Sequence, residues 1–258
     1  MNEILKSFFE KENIEFYASE QICPEFVSNP KRLPEWARYV TVFLIPYNTG
    51  VGEKRNVSRY AVSRDYHLYV KQLEKRLEAE CKENFRIFAD TSPFDERALA
   101  KKLSLGVFGK NGLLINEKYG SFVFLGEIVT QSAVSLRGGS LCEREACLSC
   151  GRCTASCPTG ALTTGTACVS EITQKKKISC DEEEIIKKHS LVWGCDICQD
   201  VCPHNKNVPM TPIRFFYDAR LEVLTSDSIE RMSDEEFLSR AYSWRGKNVI
   251  LRNLTLKL

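Results

Sequence analysis

The chain has 258 residues, of which 43% are hydrophobic and 27% charged, the balance of an ordinary globular protein with one large domain or two modest ones. A net charge of +2 does not indicate the strongly basic composition typical of nucleic-acid-binding proteins, and no apolar run is long enough to span a membrane. The unusual feature is the twelve cysteines, because nine of them lie between Cys147 and Cys202.

The first 130 residues are predicted to alternate between helices and strands. Amphipathic spacing and runs of β-branched and aromatic residues indicate three helices and four strands. In chain order they are a helix at 1–13, a strand at 38–46, a helix at 58–83, a strand at 85–90, a helix through 97–102, and strands at 113–115 and 121–130. Ser92 is expected to cap the third helix and Pro93 to open it. This alternation is typical of an α/β (α+β) domain with a central sheet, which we place at residues 1–138.

The composition changes at Gly138-Gly139, where a cysteine-rich module begins. We place this module at residues 139–212, with a helix predicted at 182–189 between its two cysteine runs. Residues 213–258 are predicted to form a helical C-terminal segment, with helices at 234–241 and 248–258.

The two cysteine runs share an unusual spacing. The first has the pattern Cys-x2-Cys-x2-Cys-x3-Cys-Pro from Cys147, and the second has the pattern Cys-x2-Cys-x3-Cys-Pro from Cys195. Closely spaced cysteines let one loop bind several irons of a [4Fe–4S] cluster, while the cysteine before the proline reaches a second cluster. The spacing therefore predicts a ferredoxin-like module with two [4Fe–4S] clusters. The first cluster is assigned Cys147, Cys150, Cys153 and Cys202, and the second Cys157, Cys195 and Cys198, with one ligand still missing.

Structural zinc and disulfides are the alternatives. Zinc sites use paired Cys-x2-Cys units, but they explain neither the third close cysteine nor the two Cys-Pro endings. Disulfides require an oxidising compartment, and the N-terminal sequence MNEILK does not resemble a signal peptide. We therefore expect iron–sulfur clusters in a cytoplasmic protein without a membrane partner. Outside the runs, Cys81 continues a helical apolar spacing and is expected to be a small buried residue, whereas Cys142 has no obvious role.

Short motifs spread over nearly the whole chain are similar to those of one enzyme family and occur in the same order. Besides both cysteine runs, they are Ser58-Arg59-Tyr60-Ala61, Asp65-Tyr66-His67, Asp90-Thr91-Ser92-Pro93, Glu96-Arg97-Ala98, Leu105-Gly106, Gly109-Lys110-Asn111, Tyr119-Gly120-Ser121, Leu125-Gly126-Glu127 and Ser243-Trp244-Arg245-Gly246-Lys247. On these residues the chain resembles the epoxyqueuosine reductase family, cobalamin-dependent iron–sulfur enzymes that complete the queuosine modification of tRNA.

The resemblance implies the missing cluster ligand. Cys168-Val169-Ser170 is similar to a Cys-Ile-Ser element of the family that supplies the eighth thiolate. The second cluster then has Cys157, Cys168, Cys195 and Cys198 as ligands. Cys180 matches no element of the family and is expected to be surplus.

The resemblance also implies that the N-terminal domain is of the cobalamin-binding type and that Asp90 is the proton donor. Without it, Asp90 is better interpreted as a strand-end residue that helps cap the next helix. Arg97 is expected to orient Asp90 or the substrate, and for His67 an ordinary helix histidine is an equal alternative. The residues expected to contact the cofactor are Ser58, His67, Arg97, Tyr119, Ser121 and Ser170.

The implied activity is the reductive removal of the epoxide of epoxyqueuosine in tRNA, with a low-potential electron donor such as a flavodoxin or ferredoxin. The chain departs from the family at Ser104, where glycine is usual, and at Ser58, where some members have cysteine. It also ends where the family continues into a helical-repeat tail that helps to grip tRNA. Two alternatives therefore stay open: a reductase of a small molecule with the same cofactors, and a non-enzymatic electron carrier with two clusters.

Overall fold

The computed structural model describes residues 1–52, 54–140 and 147–257, so Cys142 lies outside the described residues. The chain packs into two compact units, each discontinuous in sequence. The first unit combines Met1–Tyr47 with His67–Leu148, and the second combines Asn48–Tyr66 with Ser149–Leu258. The predicted division after residues 138 and 212 stays a prediction. No helix within the described ranges is both long and apolar enough to cross a membrane.

The described residues form short helices and strands in both units. The helices are α1 (Asn2–Lys11), α2 (Arg59–Val62), α3 (Tyr66–Glu80), α4 (Glu96–Lys102), α5 (Arg152–Ala155), α6 (Ala161–Thr164), α7 (Val169–Gln174), α8 (Cys180–Lys188), α9 (Ile197–Asp200), α10 (Ser226–Arg231), α11 (Asp234–Leu238) and α12 (Lys247–Thr255). The strands are β1 (Tyr17–Gln21), β2 (Tyr39–Pro46), β3 (Phe85–Phe88), β4 (Val107–Phe108), β5 (Leu114–Ile115), β6 (Val123–Thr130) and β7 (Arg137–Gly138).

The first unit is built on a five-stranded sheet with the order β3-β6-β2-β1-β7. All four pairings in this sheet are antiparallel. The long strands β2 and β6 lie side by side, and their β-branched and aromatic residues make them the buried centre of the unit. The mixed α/β prediction is confirmed. Strand β1 was not predicted, because its sequence YASEQ lacks the run of β-branched residues that marks a strand.

Gly126 gives the centre of the sheet its close packing. A Cβ atom at this position would lie 2.4 Å from the Phe43 ring on the neighbouring strand, closer than any real contact allows. The ring therefore fills the place of the missing side chain, and the ring of Phe9 on α1 packs beside it at 5.6 Å between centroids. This arrangement fixes the register of β6 around its next residue, Glu127.

The long helix predicted at 58–83 is wrong as a single element. The structure divides it into α2 and α3, and Ser63 between them has an extended backbone. The Ser63 hydroxyl donates to the Phe216 carbonyl, and the Asp65 N–H donates to the Ser239 carbonyl at 2.8 Å. These bonds to distant segments replace helical bonds, which periodicity within the segment does not reveal.

The predicted start of α4 is also wrong. The helix begins at Glu96, and the Asp95 carboxylate caps it by accepting the Ala98 N–H at 3.1 Å. The Ser92 hydroxyl oxygen instead accepts the N–H of Phe94 at 3.1 Å, inside the loop that precedes the helix. Residues 91–95 therefore form a loop between Asp90 and α4 rather than the first turn of the helix.

The second unit has its own apolar core, in which Trp193, Tyr242 and Ile250 are buried. Helix α12 is fixed to this unit by Asn253, whose side-chain amide donates to the carbonyls of Thr173 (2.7 Å) and Val192 (2.8 Å). The predicted helices at 182–189, 234–241 and 248–258 correspond to α8, α11 and α12. In the first unit, the predicted burial of Cys81 is confirmed.

Candidate functional site

The first cysteine run lies in a turning loop with little regular structure. Ser149, Gly151 and Gly160 have left-handed backbone conformations, and only the four-residue helix α5 interrupts the loop. None of the eleven described cysteines forms a disulfide. A loop of this kind leaves several thiols partly accessible on one segment, as cluster binding requires.

Cys157 is surrounded by hydrogen-bond donors that favour a thiolate. Burial alone would raise the pKa of this thiol, but the backbone N–H groups of Leu162, Thr159 and Ala161 and the Thr159 hydroxyl lower it below its ordinary value. Iron is bound by the thiolate form of cysteine. The donors around Cys157 therefore fit the [4Fe–4S] chemistry that the sequence predicts at this position.

In the second unit, Cys168 and Cys198 are near enough to Cys195 for their charges to act on its thiol. Burial raises the pKa of Cys195 to about 12, and the negative charges of Cys168, Cys198 and Asp196 raise it further, while the Ile197 N–H opposes them. The high pKa keeps Cys195 protonated without a metal, and a bound iron would deprotonate it and offset the repulsion between the thiolates. These influences fit the expectation that the three cysteines serve one cluster, but the described residues contain no group of three or more Cys, His, Asp or Glu side chains placed to hold a metal ion.

A buried network holds the loop that carries Cys195 and Cys198. Asp196, which is 1% exposed, accepts hydrogen bonds from the Ser58 hydroxyl and from the Arg59 N–H at 2.8 Å. The Arg55 guanidinium donates to Asp196 at 3.1 Å and to Asp200 at 3.0 Å, and the Arg59 side chain donates to Asp200 at 3.1 Å. Sequence reasoning missed this network, although the position of Asp196 between Cys195 and Cys198 could have indicated it. Ser58, expected at the cofactor, donates to this carboxylate.

The other residues expected at the cofactor are divided between the two units. Ser170 lies in the second unit, where its hydroxyl accepts from the Gln174 side chain at 3.2 Å. In the first unit, the Tyr119 hydroxyl donates to Glu15 at 3.3 Å and Arg97 donates to the Gly112 carbonyl at 3.1 Å. Several of these side chains therefore already have partners within their own unit.

The remaining two residues of that set also lie in the first unit. His67 stands in the first turn of α3, and Ser121 is buried just before β6.

Asp90 stands in an unusual backbone conformation directly after β3. Its φ angle of 58° is left-handed, a conformation that aspartate tolerates better than most residues. The Thr91 N–H donates to the Ala89 carbonyl at 2.6 Å and closes a tight turn around Asp90. Asp90 is exposed to solvent, whereas Ala89 before it is buried. The turn thus presents a carboxyl group at the end of an edge strand of the sheet.

Two further carboxyl groups, those of Glu96 and Glu127, are near enough to Asp90 for its charge to act on them. Burial raises the pKa of Glu96 to about 7, and the charge of Asp90 adds to the effect, while the Asp90 N–H and Arg97 oppose it. Burial raises the pKa of Glu127 well above its ordinary value, and the charges of Glu96 and Asp90 raise it further, while the Ser92 hydroxyl opposes them. The structure therefore contains a group of three interacting acids, of which sequence reasoning identified only Asp90.

Two family models match the chain. The first is described as a 4Fe-4S double cluster binding domain and covers residues 146–205, a range that contains all eight expected ligands. The second is described as epoxyqueuosine reductase QueG, DUF1730, and covers residues 28–91. The module between Cys147 and Cys202 is therefore a double [4Fe–4S] cluster domain.

Curated and solved proteins agree with these matches. The epoxyqueuosine reductase of Cyclobacterium marinum is 34% identical over 225 residues, which are 81% of this chain and 71% of that protein. Alignments with other curated relatives span about half to seven-tenths of their length. The solved epoxyqueuosine reductase of Streptococcus thermophilus has the same fold, with a TM-score of 0.78 at 24% identity over 99% of this chain and 80% of its own. A second solved epoxyqueuosine reductase, crystallised with an epoxyqueuosine-modified tRNA stem loop, matches with a TM-score of 0.74 at 24% identity over 99% of this chain and 81% of its own.

Proposed function

Because the chain belongs to the epoxyqueuosine reductase family, we propose that it converts epoxyqueuosine in tRNA to queuosine. The observation that carries the proposal is the alignment with the curated relative over four-fifths of the chain. The reaction breaks both C–O bonds of an epoxide, forms a C=C bond and releases the oxygen as water. It therefore consumes two electrons and two protons.

The double cluster domain supplies the route for the electrons. We assign Cys147, Cys150, Cys153 and Cys202 to one cluster and Cys157, Cys168, Cys195 and Cys198 to the other. The donors around Cys157 and the effect of the Cys168 and Cys198 charges on Cys195 support the assignment. A flavodoxin or ferredoxin is the class of donor that operates at the low potential of such clusters. A cytoplasmic location remains a prediction from the cysteine chemistry.

Cobalamin is the proposed second cofactor, by family membership. When bound, it would deliver the electrons of the clusters to the carbon atoms of the epoxide. The candidate residues Ser58, Arg97 and Tyr119 already hydrogen-bond within their own units, so the structure does not single them out as its ligands. The first measurement is an anaerobic titration of the cluster-loaded protein with cob(II)alamin, followed by electron paramagnetic resonance. A saturable change in the cobalt signal is expected, and no change would remove cobalamin from the proposal.

Asp90 is the proposed proton donor to the epoxide oxygen. Its support is its position in a left-handed, solvent-accessible turn, because such conformations are rare and concentrate at functional sites. General acid catalysis typically contributes about 10²–10⁴-fold to a rate. Asp90→Asn is expected to lower the rate of conversion by a factor in this range without loss of iron. The matched control is Asp218→Asn, an exposed aspartate in the second unit.

The test of the function uses the protein reconstituted with both clusters, cobalamin and a chemical reductant. Epoxyqueuosine tRNA is added, the tRNA is digested, and the nucleosides are separated by chromatography and identified by mass spectrometry. Conversion to queuosine is expected. If the tRNA is unchanged while a curated relative converts it under the same conditions, the proposal is refuted. A gel shift with the same tRNA then shows whether binding or chemistry is lacking.

A further inference from the structure

The reduction of an epoxide to an alkene and water takes up two protons, but a single Asp90 carboxylic acid holds only one. We propose that Glu96 and Glu127 form a proton store behind Asp90 that supplies the second proton of the reaction through Asp90. The inference rests on the proposed function and adds two residues to it. It stands on the burial of Glu127, on the lack of a hydrogen-bond partner for its carboxylate among the described residues, and on the mutual influence of Asp90, Glu96 and Glu127.

Glu127 occupies a position where a charged carboxylate is costly. It lies on β6 opposite Val42 on one neighbouring strand and Phe88 on the other, and it is completely buried. Neither of its carboxylate oxygens has a hydrogen-bond partner of normal geometry among the described residues. The Ser92 hydroxyl is near enough to favour the charged form but does not form such a bond. An unpaired buried carboxylate protonates rather than remain charged, so Glu127 holds a proton at neutral pH.

Glu96 connects Glu127 to Asp90. It lies in the first turn of α4, where the Asp90 backbone N–H is near enough to favour its charged form, and its Oε2 atom is buried without a partner in the described part of the chain. Its pKa of about 7 means that it gains and loses a proton readily at neutral pH. The charge of Glu96 acts on Glu127, and the charge of Asp90 acts on both. The three acids therefore form one coupled group.

The charged groups that face the pair come from two elements. The turn after β3 contributes Asp90, and α4 contributes Asp95 and Arg97. Arg97 is the cation of this set, and it favours the ionised form of Glu96. Two negative charges against one positive charge favour retention of a proton on the glutamates.

The protons of the two steps balance. Asp90 protonates the epoxide oxygen as the first C–O bond breaks and is left as a carboxylate. It takes a proton from Glu96, which takes one from Glu127. Asp90 then protonates the same oxygen again as the second C–O bond breaks, the C=C bond forms and water leaves. The two electrons come from the low-potential donor through the clusters, and solvent restores the protons after the product has left.

If Glu127 had a purely structural role, its replacement would destabilise the fold, whereas the proposal predicts that the fold remains intact. A buried carboxyl without partners contributes little to folding, so its replacement by an amide of the same shape leaves the fold intact. Glu127→Gln retains the shape and removes the transferable proton. The matched control is Glu12→Gln in the same unit, a carboxyl whose pKa is also raised by burial but which faces Arg76.

The experiment measures single-turnover conversion of epoxyqueuosine tRNA against pH for the reconstituted wild-type protein, Glu127→Gln, Glu96→Gln and Glu12→Gln. We expect Glu127→Gln to be at least about tenfold slower with unchanged iron content, and Glu12→Gln to match the wild type. The wild-type rate should fall above about pH 7, and Glu96→Gln should lose this dependence. If the wild type converts the tRNA and Glu127→Gln is equally fast at every pH, the proton store is refuted while the proposed function stands. If the wild type converts nothing, the proposed function itself fails.

A second measurement does not depend on activity or on the folding of a variant. Infrared spectra of wild-type protein labelled with ¹³C-glutamate distinguish the carbonyl band of a protonated glutamate from all aspartate bands. A labelled band that persists at pH 8 is expected for Glu127. Its absence at pH 8 would overturn the inference.

Discussion

The buried ion pair of Arg55 and Asp196 is expected to contribute strongly to the stability of the second unit, and this can be tested by substitution. Their side chains are only 8% and 2% exposed, and Nη2 of Arg55 lies 3.1 Å from Oδ2 of Asp196. Arg55→Met would leave the carboxylate with the Ser58 hydroxyl and the Arg59 N–H but without a cation. Removing one partner of a buried ion pair costs about 3–5 kcal/mol. At about 2–4 °C per kcal/mol for a protein of this size, the unfolding midpoint should fall by roughly 6–20 °C.

Arg59→Met is the matched control for this prediction. The Arg59 side chain pairs with Asp200, which is 37% exposed, and an exposed pair of this kind contributes about 0–1 kcal/mol. The Arg59 N–H to Asp196 belongs to the backbone and survives the substitution. Both variants are followed by circular dichroism during heating and by the rate at which a chelator removes iron. The reasoning fails if Arg55→Met unfolds at the same temperature as Arg59→Met, or if it retains iron equally well.

Three further outcomes are expected. Cys168→Ser should lose about four of the roughly eight irons that two cubanes contain, whereas Cys180→Ser should lose none, as measured by iron analysis after reconstitution. Asn253→Ala should reduce the free energy of unfolding by about 1–3 kcal/mol in a denaturant titration, because two buried carbonyls lose their donor, whereas the exposed Asn248→Ala should change it little. The folded-state pKa of Glu127 lies above its unfolded value, so its contribution to stability is present at low pH and is lost as pH rises. The free energy of unfolding of the wild type should therefore fall more steeply between about pH 5 and 8 than that of Glu127→Gln.

The cysteine chemistry was predictable from sequence because it depends on local spacing. Two runs ending in Cys-Pro specify two clusters wherever the rest of the chain goes. Cys168 could not be identified by the same reasoning, since it stands outside both runs, and only the family resemblance supplied it. In the structure its charge acts on the thiol of Cys195, and its place in the second cluster stays a prediction.

The elements that sequence reasoning missed depend on contacts between distant segments. The helix predicted at 58–83 breaks where Ser63 bonds to Phe216, more than 150 residues away in the chain. Strand β1 consists mainly of polar residues and forms because β2 and β7 pair with it. The burial of Glu127 likewise follows from its place between two strands of a sheet, whereas its sequence neighbours show only a glutamate after a glycine.

Two carboxyl groups that are buried in the described part of the chain, those of Asp196 and Glu127, have opposite surroundings. Asp196 receives two uncharged donors and an arginine, the complement of a charged carboxylate that fixes one segment to another. Glu127 receives no hydrogen bond of normal geometry from the described residues and has two acidic neighbours instead. Asp196 therefore shows the surroundings of a buried carboxylate with a structural role, namely hydrogen-bond donors and a cation. By that standard a structural role does not explain Glu127. Its isosteric replacement should reduce turnover without lowering stability, whereas loss of the cation beside Asp196 should lower stability first.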